Sequence, residues 1–597
     1  MCGLIGEWSW QGSAQPLPLV PLAHRGPDGQ GGWSSAEGHC WLGHTRLAIQ
    51  DRSAAGAQPI ASHCGRFMLV FNGEIYNHLS LRPELPGVPW RGHSDSETLV
   101  EALAQQGLAV LSRLRGMYAF AAYDGRLRRL WLGRDPLGIK PLYLAQRHGT
   151  LRFASERQAL GWPTPLQPRE VAEALAWGHL LTPVAVDPAE APSVSSLPPG
   201  ALVEIRADRP QRLASVQPAA APVITACVRT RSGAARQLRN LLEQSVQEHL
   251  LADVPVACFL SAGLDSGILA ALACRAAPGS ISTFTVSFPG MAIDEGERAA
   301  AMARHCGSDH HPLTLTASQV LLWVEQALAA LDVPTADGLN TYLISRAVAE
   351  QGLRVALSGL GADELFGGYP SHRLVPWLSL LRGLPPGLRR SVLMALVPRL
   401  GSKLLDLPNW DPWLLAQALR RWASNSDLRA AGLPALIAPT PPAALPRPRW
   451  PRISSAELTG YTEPMLLRDS DVLSMACGLE VRVPFLDQRL QQLVWALPSG
   501  VLRPGKTLLR EACADLFPPG YLHRPKQGFT LPMAAWMQGP LRQLCQSRLR
   551  CLAASGWLQP SWLEQQWQRF EAGQLNWPRA WSLVVLGEFA SRQPNDV

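Results

Sequence analysis

The sequence predicts two globular units of different class: a strand-rich α+β unit, then an α/β unit built on a parallel sheet. Three observations carry this. Short apolar strands separated by turns fill roughly the first 205 residues, a Pro- and Ala-rich stretch without clear period follows near Ala207 to Ala226, and strands then alternate with helical patterns. At 597 residues the chain has room for two or more cores. The units are placed at 1–206 and 233–597, with a linker over 207–232.

In the first unit the strand signals are CGLIGEW, CWLGHTRLAIQ, RFMLVFNGEIYN, MYAFAAYD, RLWLGRD, LYLAQR and LRFAS, with a helix around Glu97 to Gln106. Past the linker, Leu238, Leu241, Leu242, Val246 and Leu250 recur at helical spacing. Next comes the short strand VPVACFL, then the turn SAGLDSG into a helix with Ile268, Leu269 and Leu272 inward. STFTVSF and RVALSGLG continue the pattern, as expected of a sheet covered on both faces. Between Pro370 and Arg452 the sequence is rich in Leu, Pro, Arg and Trp and shows no clear period. A helical tail closes the chain.

Composition narrows the function classes. Charged residues make up only 17% of the chain, and the net charge of +8 comes without any block of like charges, so a nucleic-acid partner is not expected. Eleven cysteines with no CxxC pair or zinc-type cluster argue against a disulfide framework or structural metal. No apolar run reaches membrane-spanning length and the start lacks a secretory n-region, so no membrane partner and a cytoplasmic location are expected. Lys140, Lys403, Lys506 and Lys526 are the only lysines among 55 cationic side chains, which makes each a hint that a compact ammonium is wanted.

Cys2 follows the initiator Met. Removal of Met1 would leave a thiol beside a free α-amine, which could take its proton and give a thiolate nucleophile. Alone, such a cysteine is more often an ordinary small residue. HRGPDG from His24, GHTRLAI from Gly43, FNGEIYN from Phe71, SDSET from Ser94 and RDPLGIKPLY from Arg134 follow in order. Together with the Cys-Gly start they resemble the glutaminase domain of class II glutamine amidotransferases, in particular the asparagine synthetase family. The resemblance implies an N-terminal-nucleophile hydrolase sandwich with Cys2 as nucleophile. It also implies Arg46 on glutamine's α-carboxylate, Asp95 on its α-ammonium, Asn72 and the Gly73 N–H at the oxyanion, and Ile49 and Glu74 in the same site. Lys140 is expected to be structural.

SAGLDSG, between a strand and a helix, resembles the SGGxDS pyrophosphate loop of ATP pyrophosphatases, where backbone N–H groups and a helix N-terminus suit phosphate. SGLGADELFGGY, LEVRVPFLD, RPGKTLLR and HRPKQGF match the same family, so the second unit is expected to be ATP-pyrophosphatase-like. By resemblance Ser261, Gly263, Asp265 and Ser266 form the phosphate loop, Ser358 and Gly359 hold the adenylate, and Leu260 and Val286 line the nucleotide pocket. Asp265 and Asp363 are the expected Mg²⁺ ligands, Lys506 stabilises charge on the α-phosphate, and Lys526 belongs to a basic substrate loop.

The implied function is glutamine-hydrolysing, ATP-dependent amidation of aspartate to asparagine, with AMP and pyrophosphate released and ammonia passing internally between the sites. The partners are then glutamine, aspartate and ATP with Mg²⁺, and a homodimer is the candidate assembly. Three positions depart from the family pattern: Ala262 replaces a glycine, Gly267 a serine, and Leu360 an acidic residue tied to the acyl-adenylate. Leu360 keeps two alternatives open, amidation of a different carboxylate and a glutaminase joined to a nucleotide-binding scaffold.

Overall fold

The computed structural model describes residues 2–163, 165–181, 194–208, 214–216, 230–291, 293–396, 398–442, 445, 448–498, 500–523 and 531–592. Its N-terminal part carries β1 (Gly3–Ser9), β2 (Gly29–Ser34), β3 (Cys40–Arg46), β4 (Ile60–Ala61), β5 (Phe67–Ile75), β6 (Gly116–Asp124), β7 (Arg129–Arg134), β8 (Tyr143–Arg147), β9 (Thr150–Ala154), β10 (Ser195–Ser196), β11 (Leu202–Arg206) and β12 (Ala214–Val216). These form two six-stranded sheets, in the orders β10-β8-β9-β1-β3-β2 and β12-β11-β7-β6-β5-β4. Every pairing in both is antiparallel.

The period-2 pattern of the strands explains the layers. Along β5, Val70 turns into the layer between the sheets with Leu4, Leu42, Leu132 and Phe153, while Leu69 and Phe71 turn outward onto Leu99, Val100 and Leu103 of the helix Asp95–Gln106. On the other sheet Ile5, Trp41 and Tyr143 pack outward on Leu22 and Leu160 of short 3₁₀ turns. This is the sandwich expected of an N-terminal-nucleophile hydrolase, with helical segments on both outer faces.

The second sheet-bearing part begins with the helix Arg231–His249. It contains β13 (Val256–Phe259), β14 (Ser282–Ser287), β15 (Asp309–Thr314), β16 (Val355–Leu357) and β17 (Glu480–Arg482). All pairings are parallel, in the order β15-β14-β13-β16-β17. The chain starts at the centre, winds to one edge, returns to the centre and winds to the other, so the order reverses between β13 and β16. Ligands of doubly wound sheets bind at such a reversal, beyond the carboxyl ends of the strands.

The sequence reading placed β13, β14 and β16 but not β15 or β17. The first, DHHPLT, is a polar edge strand interrupted by Pro312, and the second is three residues whose partner lies more than a hundred residues earlier. The Pro-rich region resolves into helices including Ser371–Leu380, Pro386–Leu396, Pro398–Leu405 and Pro412–Arg420. Three of these begin on proline, which is well suited to a first helical turn, so the residue that masked the period marks the starts. Among the described residues no helix is long and apolar enough to cross a membrane.

Candidate active sites

Cys2 is buried just before β1, and its backbone N donates to Asn72 Oδ1 on β5 at 3.0 Å. Its Sγ faces the Leu47 carbonyl at 4.0 Å; burial pushes the thiol pKa up from its ordinary value, with the Leu47 contact opposing. The Nδ2 of Asn72 is buried with no hydrogen-bond partner among the described residues. A buried donor left unspent is costly unless something arrives to take it. Gly73 follows on the strand, where an added Cβ would lie 2.1 Å from the Met117 carbonyl, so only glycine fits.

A pocket of about 350 Å³ opens beside these groups. Arg46, Ile49, Gly73, Glu74 and Asp95 all line it with Cys2, so the structure brings the expected glutamine-site residues together. Arg46 is held by donating to the Ser53 carbonyl at 2.8 Å and to the Asp51 carbonyl, and Gly56 leaves room for its guanidinium. Asp95 opens the helix Asp95–Gln106, which Ser94 caps by accepting from Glu97 N at 3.2 Å. Burial raises the Asp95 carboxyl, while the N–H groups of Ile75 and Ser96 at 2.8 and 2.7 Å oppose that rise.

Sequence reasoning assigned no role to Gln50, Gln58, Ser94 and Ser96, which also line this pocket. Ser94 and Ser96 lay inside the SDSET motif and Gln50 directly follows GHTRLAI, so adjacency to a motif was the available signal. It likewise gave no role to Arg482, although LEVRVPFLD contains it. Fully buried on β17, Arg482 pairs with Glu480 at 2.5 Å and reaches Glu74 at 3.3 Å, while Gln50 donates to the other Glu74 oxygen. The pocket is therefore buttressed from the second part of the chain.

The second constellation lies at the sheet reversal. SAGLDSG leaves β13 and enters the helix Leu264–Ala276. Ser261 and Ser266 hydroxyls meet at 2.9 Å, and Ser261 Oγ accepts from Gly263 N at 3.1 Å. Leu260 and Val286 are buried at the ends of neighbouring strands. From β16, Ser358 N donates to the Arg482 carbonyl at 2.8 Å, and Gly359 brings the second loop so close that a Cβ there would lie 3.1 Å from that of Asp265.

Two of the sequence departures have structural explanations. Ala262 is absent from the described non-glycine residues with positive φ, so its backbone needs no glycine. At Gly267 an added Cβ would meet the Phe517 ring at 2.6 Å; the aromatic ring occupies the space a serine would need.

Lys506 holds a left-handed φ of 60°, rare for a residue with a side chain. Its ammonium reaches Asp265 at 2.5 Å and Asp363 at 2.6 Å. Burial opposes charge on this group, but the two carboxylates outweigh it and hold its pKa above the ordinary value. Gly368 is required here, since a Cβ would fall 1.6 Å from Asp363 Oδ1. Two carboxylates converging on one cationic point fit a Mg²⁺ site, because that ion is usually held by one or two carboxylates plus phosphates and water. Lys526 lies outside the described residues. Lys140 is buried and pairs with Asp471 at 3.2 Å, across the two parts of the chain.

Leu360 is half-buried and packs against a large apolar cluster. That cluster joins Leu47 and Ile49 from the Cys2 pocket, with Tyr76, Met117 and Ile139, to Leu260, Val483 and Leu486 around the second constellation.

Residues 237–591 match the family model for asparagine synthase and residues 1–214 that for a glutamine amidotransferase domain. The chain is 28% identical over 579 residues to the glutamine-hydrolysing asparagine synthetase 1 of Bacillus subtilis (strain 168), covering 91% of this chain and 89% of that protein. It is 32% identical over 394 residues to the glutamine-hydrolysing asparagine synthetase B of Escherichia coli (strain K12), covering 62% and 65%. With the glutamine-hydrolysing asparagine synthetase 1 of Saccharomyces cerevisiae (strain ATCC 204508 / S288c) it shares 28% identity over 419 residues, covering 62% and 66%.

Proposed function

Because the chain belongs to the glutamine-hydrolysing asparagine synthetase family, we propose that it moves the amide nitrogen of glutamine onto a carboxylate activated by ATP, aspartate being the acceptor that family membership suggests. The observation that carries this reading is that one apolar cluster of the described residues includes both Leu47 and Ile49 of the Cys2 pocket and Leu260, which borders the loop carrying Asp265. Two polar sites joined by water-excluding side chains suit a nitrogen that must travel as ammonia.

With Met1 removed, the Cys2 N becomes an α-amine beside the thiol and accepts its proton. The thiolate attacks the glutamine carboxamide carbon, and the oxyanion takes the unspent Asn72 Nδ2 donor and the Gly73 N–H. Arg46 and Asp95 hold the α-carboxylate and α-ammonium, so only the amide end reaches the sulfur. The Cys2 α-ammonium returns that proton to the amide nitrogen as the adduct collapses, so ammonia leaves, and water then frees glutamate from the thioester and restores the thiol.

In the second site the loop from Ser261 and the N-terminus of the helix Leu264–Ala276 receive phosphates. The acceptor's carboxylate oxygen attacks the α-phosphorus, pyrophosphate leaves, and ammonia attacks the acyl carbon to expel AMP. Lys506 balances charge on the α-phosphate. Asp265 and Asp363 would hold Mg²⁺, which supplies charge neutralisation to the phosphates when bound.

Leu360 favours a second reading within the same chemistry. An aliphatic side chain neither exchanges a proton nor orients ammonia, so the acceptor end of this site differs from the family pattern. Pyrophosphate release by the purified protein with Mg²⁺, ATP and ammonia, with and without aspartate, tests both. Aspartate-dependent release supports the family acceptor; release with another acid only refutes it. No release with any acid, alongside glutamate formation from glutamine, would leave a glutaminase on a nucleotide-binding scaffold.

A further inference from the structure

A second pocket lies at the same edge of the parallel sheet as the nucleotide loops. The helix Leu339–Glu350 runs back into β16, so its first residues stand at the carboxyl edge, and Leu339 and Asn340 line this pocket. At about 940 Å³ the space is more than twice the 350 Å³ around Cys2 that the proposed reaction assigns to glutamine. Five aromatic side chains line it: Trp177, Trp422, Tyr461, Trp577 and Trp581.

Arg420 stands in the wall. Its guanidinium lies 3.8 Å over the Tyr369 ring and 3.9 Å over Tyr461, and its Nε pairs with Glu457 at 2.7 Å. Its Nη2, though buried, has no hydrogen-bond partner among the described residues. A guanidinium N–H withheld from water is strongly completed by a carboxylate. The same side chain connects the pocket to the nucleotide site: the Tyr369 hydroxyl donates to Glu364 at 3.0 Å, and Glu364 directly follows Asp363.

Asp337, Asn340 and Arg420 give the lining polar groups as well, yet aspartate has no apolar surface to set against the five aromatic side chains. Rings gain on such walls both from apolar burial and from ring–ring geometry. We propose that this pocket receives the body of the acceptor, and that the acceptor is an aryl-bearing dicarboxylic acid whose ring lies among the tryptophans and whose second carboxylate sits on Arg420. The inference rests on the amidotransferase reading and narrows its acceptor; the apolar Leu360 agrees with it.

The test uses the full chain with N-benzoylaspartate as probe and aspartate as comparator. Tryptophan emission reports binding, and pyrophosphate release with ATP, Mg²⁺ and ammonia reports turnover. The aryl acid is expected to half-saturate the emission change at a concentration at least tenfold below that of aspartate, and to exceed aspartate at least tenfold in kcat/KM. Trp577→Ala, at a half-buried position, should raise its half-saturating concentration at least fivefold and Trp577→Phe less than twofold. Arg420→Gln should raise it at least tenfold. Aspartate matching the aryl acid in kcat/KM, or Trp577→Ala and Arg420→Gln leaving aryl binding unchanged, overturns the inference while the amidotransferase reading stands. Aryl binding without pyrophosphate release from either acid removes that reading, and the acceptor role with it.

Discussion

Asn72 does two jobs with one side chain. Its carbonyl oxygen accepts from Cys2 N and so orients the chain end, while its buried Nδ2 has no partner among the described residues and, in the proposed mechanism, receives the oxyanion. Asn72→Ala should therefore lower kcat for glutamate release by roughly 100- to 1,000-fold, the usual effect of losing an oxyanion donor. Ammonia-dependent pyrophosphate release should change less than twofold. An equal loss in both assays would show that Asn72 acts through the fold. The motif FNGEIYN made this residue visible as a candidate, but its free nitrogen is a property of the folded environment.

At the scale of elements, the site depends on where helices begin. Ser94 caps the helix Asp95–Gln106 and thereby fixes Asp95 at the pocket wall. Loss of an N-cap hydroxyl typically costs about 1 kcal/mol. Ser94→Ala should accordingly lower the melting temperature by a few degrees and raise KM for glutamine severalfold, as measured by glutamate release; an unchanged KM would separate the cap from substrate binding. The turn SAGLDSG is read from sequence by the same logic of strand, loop and helix start. Its partner loop from β16 is equally visible in sequence, yet their approach at Asp265 and Gly359 is created by parallel pairing of β13 with β16.

For the whole molecule, the decisive contacts cross between the two parts of the chain. Arg25 donates from Nε to the Cys2 carbonyl at 3.2 Å and pairs with Glu156 at 2.9 Å and Asp471 at 2.7 Å, all of them buried. Lys140 shares Asp471. Removing the charge of Asp471 takes one carboxylate from two buried cations, of which Arg25 keeps Glu156, so the loss should fall below the value of about 3 to 5 kcal/mol usual where a buried charge is left alone. Asp471→Asn should give a clear drop in melting temperature by calorimetry, together with slower glutamate release, because Arg25 also positions Cys2. A variant melting within one degree of wild type would show that these cations are neutralised elsewhere.

Much of this protein is legible in its amino-acid order. Alternating apolar residues mark the sandwich strands, helical spacing marks Leu238 to Leu250, and local motifs single out Cys2, Arg46, Asn72, Asp95, Asp265 and Lys506. Such features are readable because each is set by neighbours a few residues away. β17, the Arg482–Glu74 contact, the Phe517 ring against Gly267, and the aromatic pocket around Arg420 are not. Each joins side chains scores or hundreds of residues apart, and no local period or turn signal records such a pairing. Local order therefore carries the strands, helices and motifs, while how Arg482 reaches the first site, why Phe517 leaves room only for Gly267, and how five aromatic side chains meet around Arg420 depend on contacts that form only when distant segments pack.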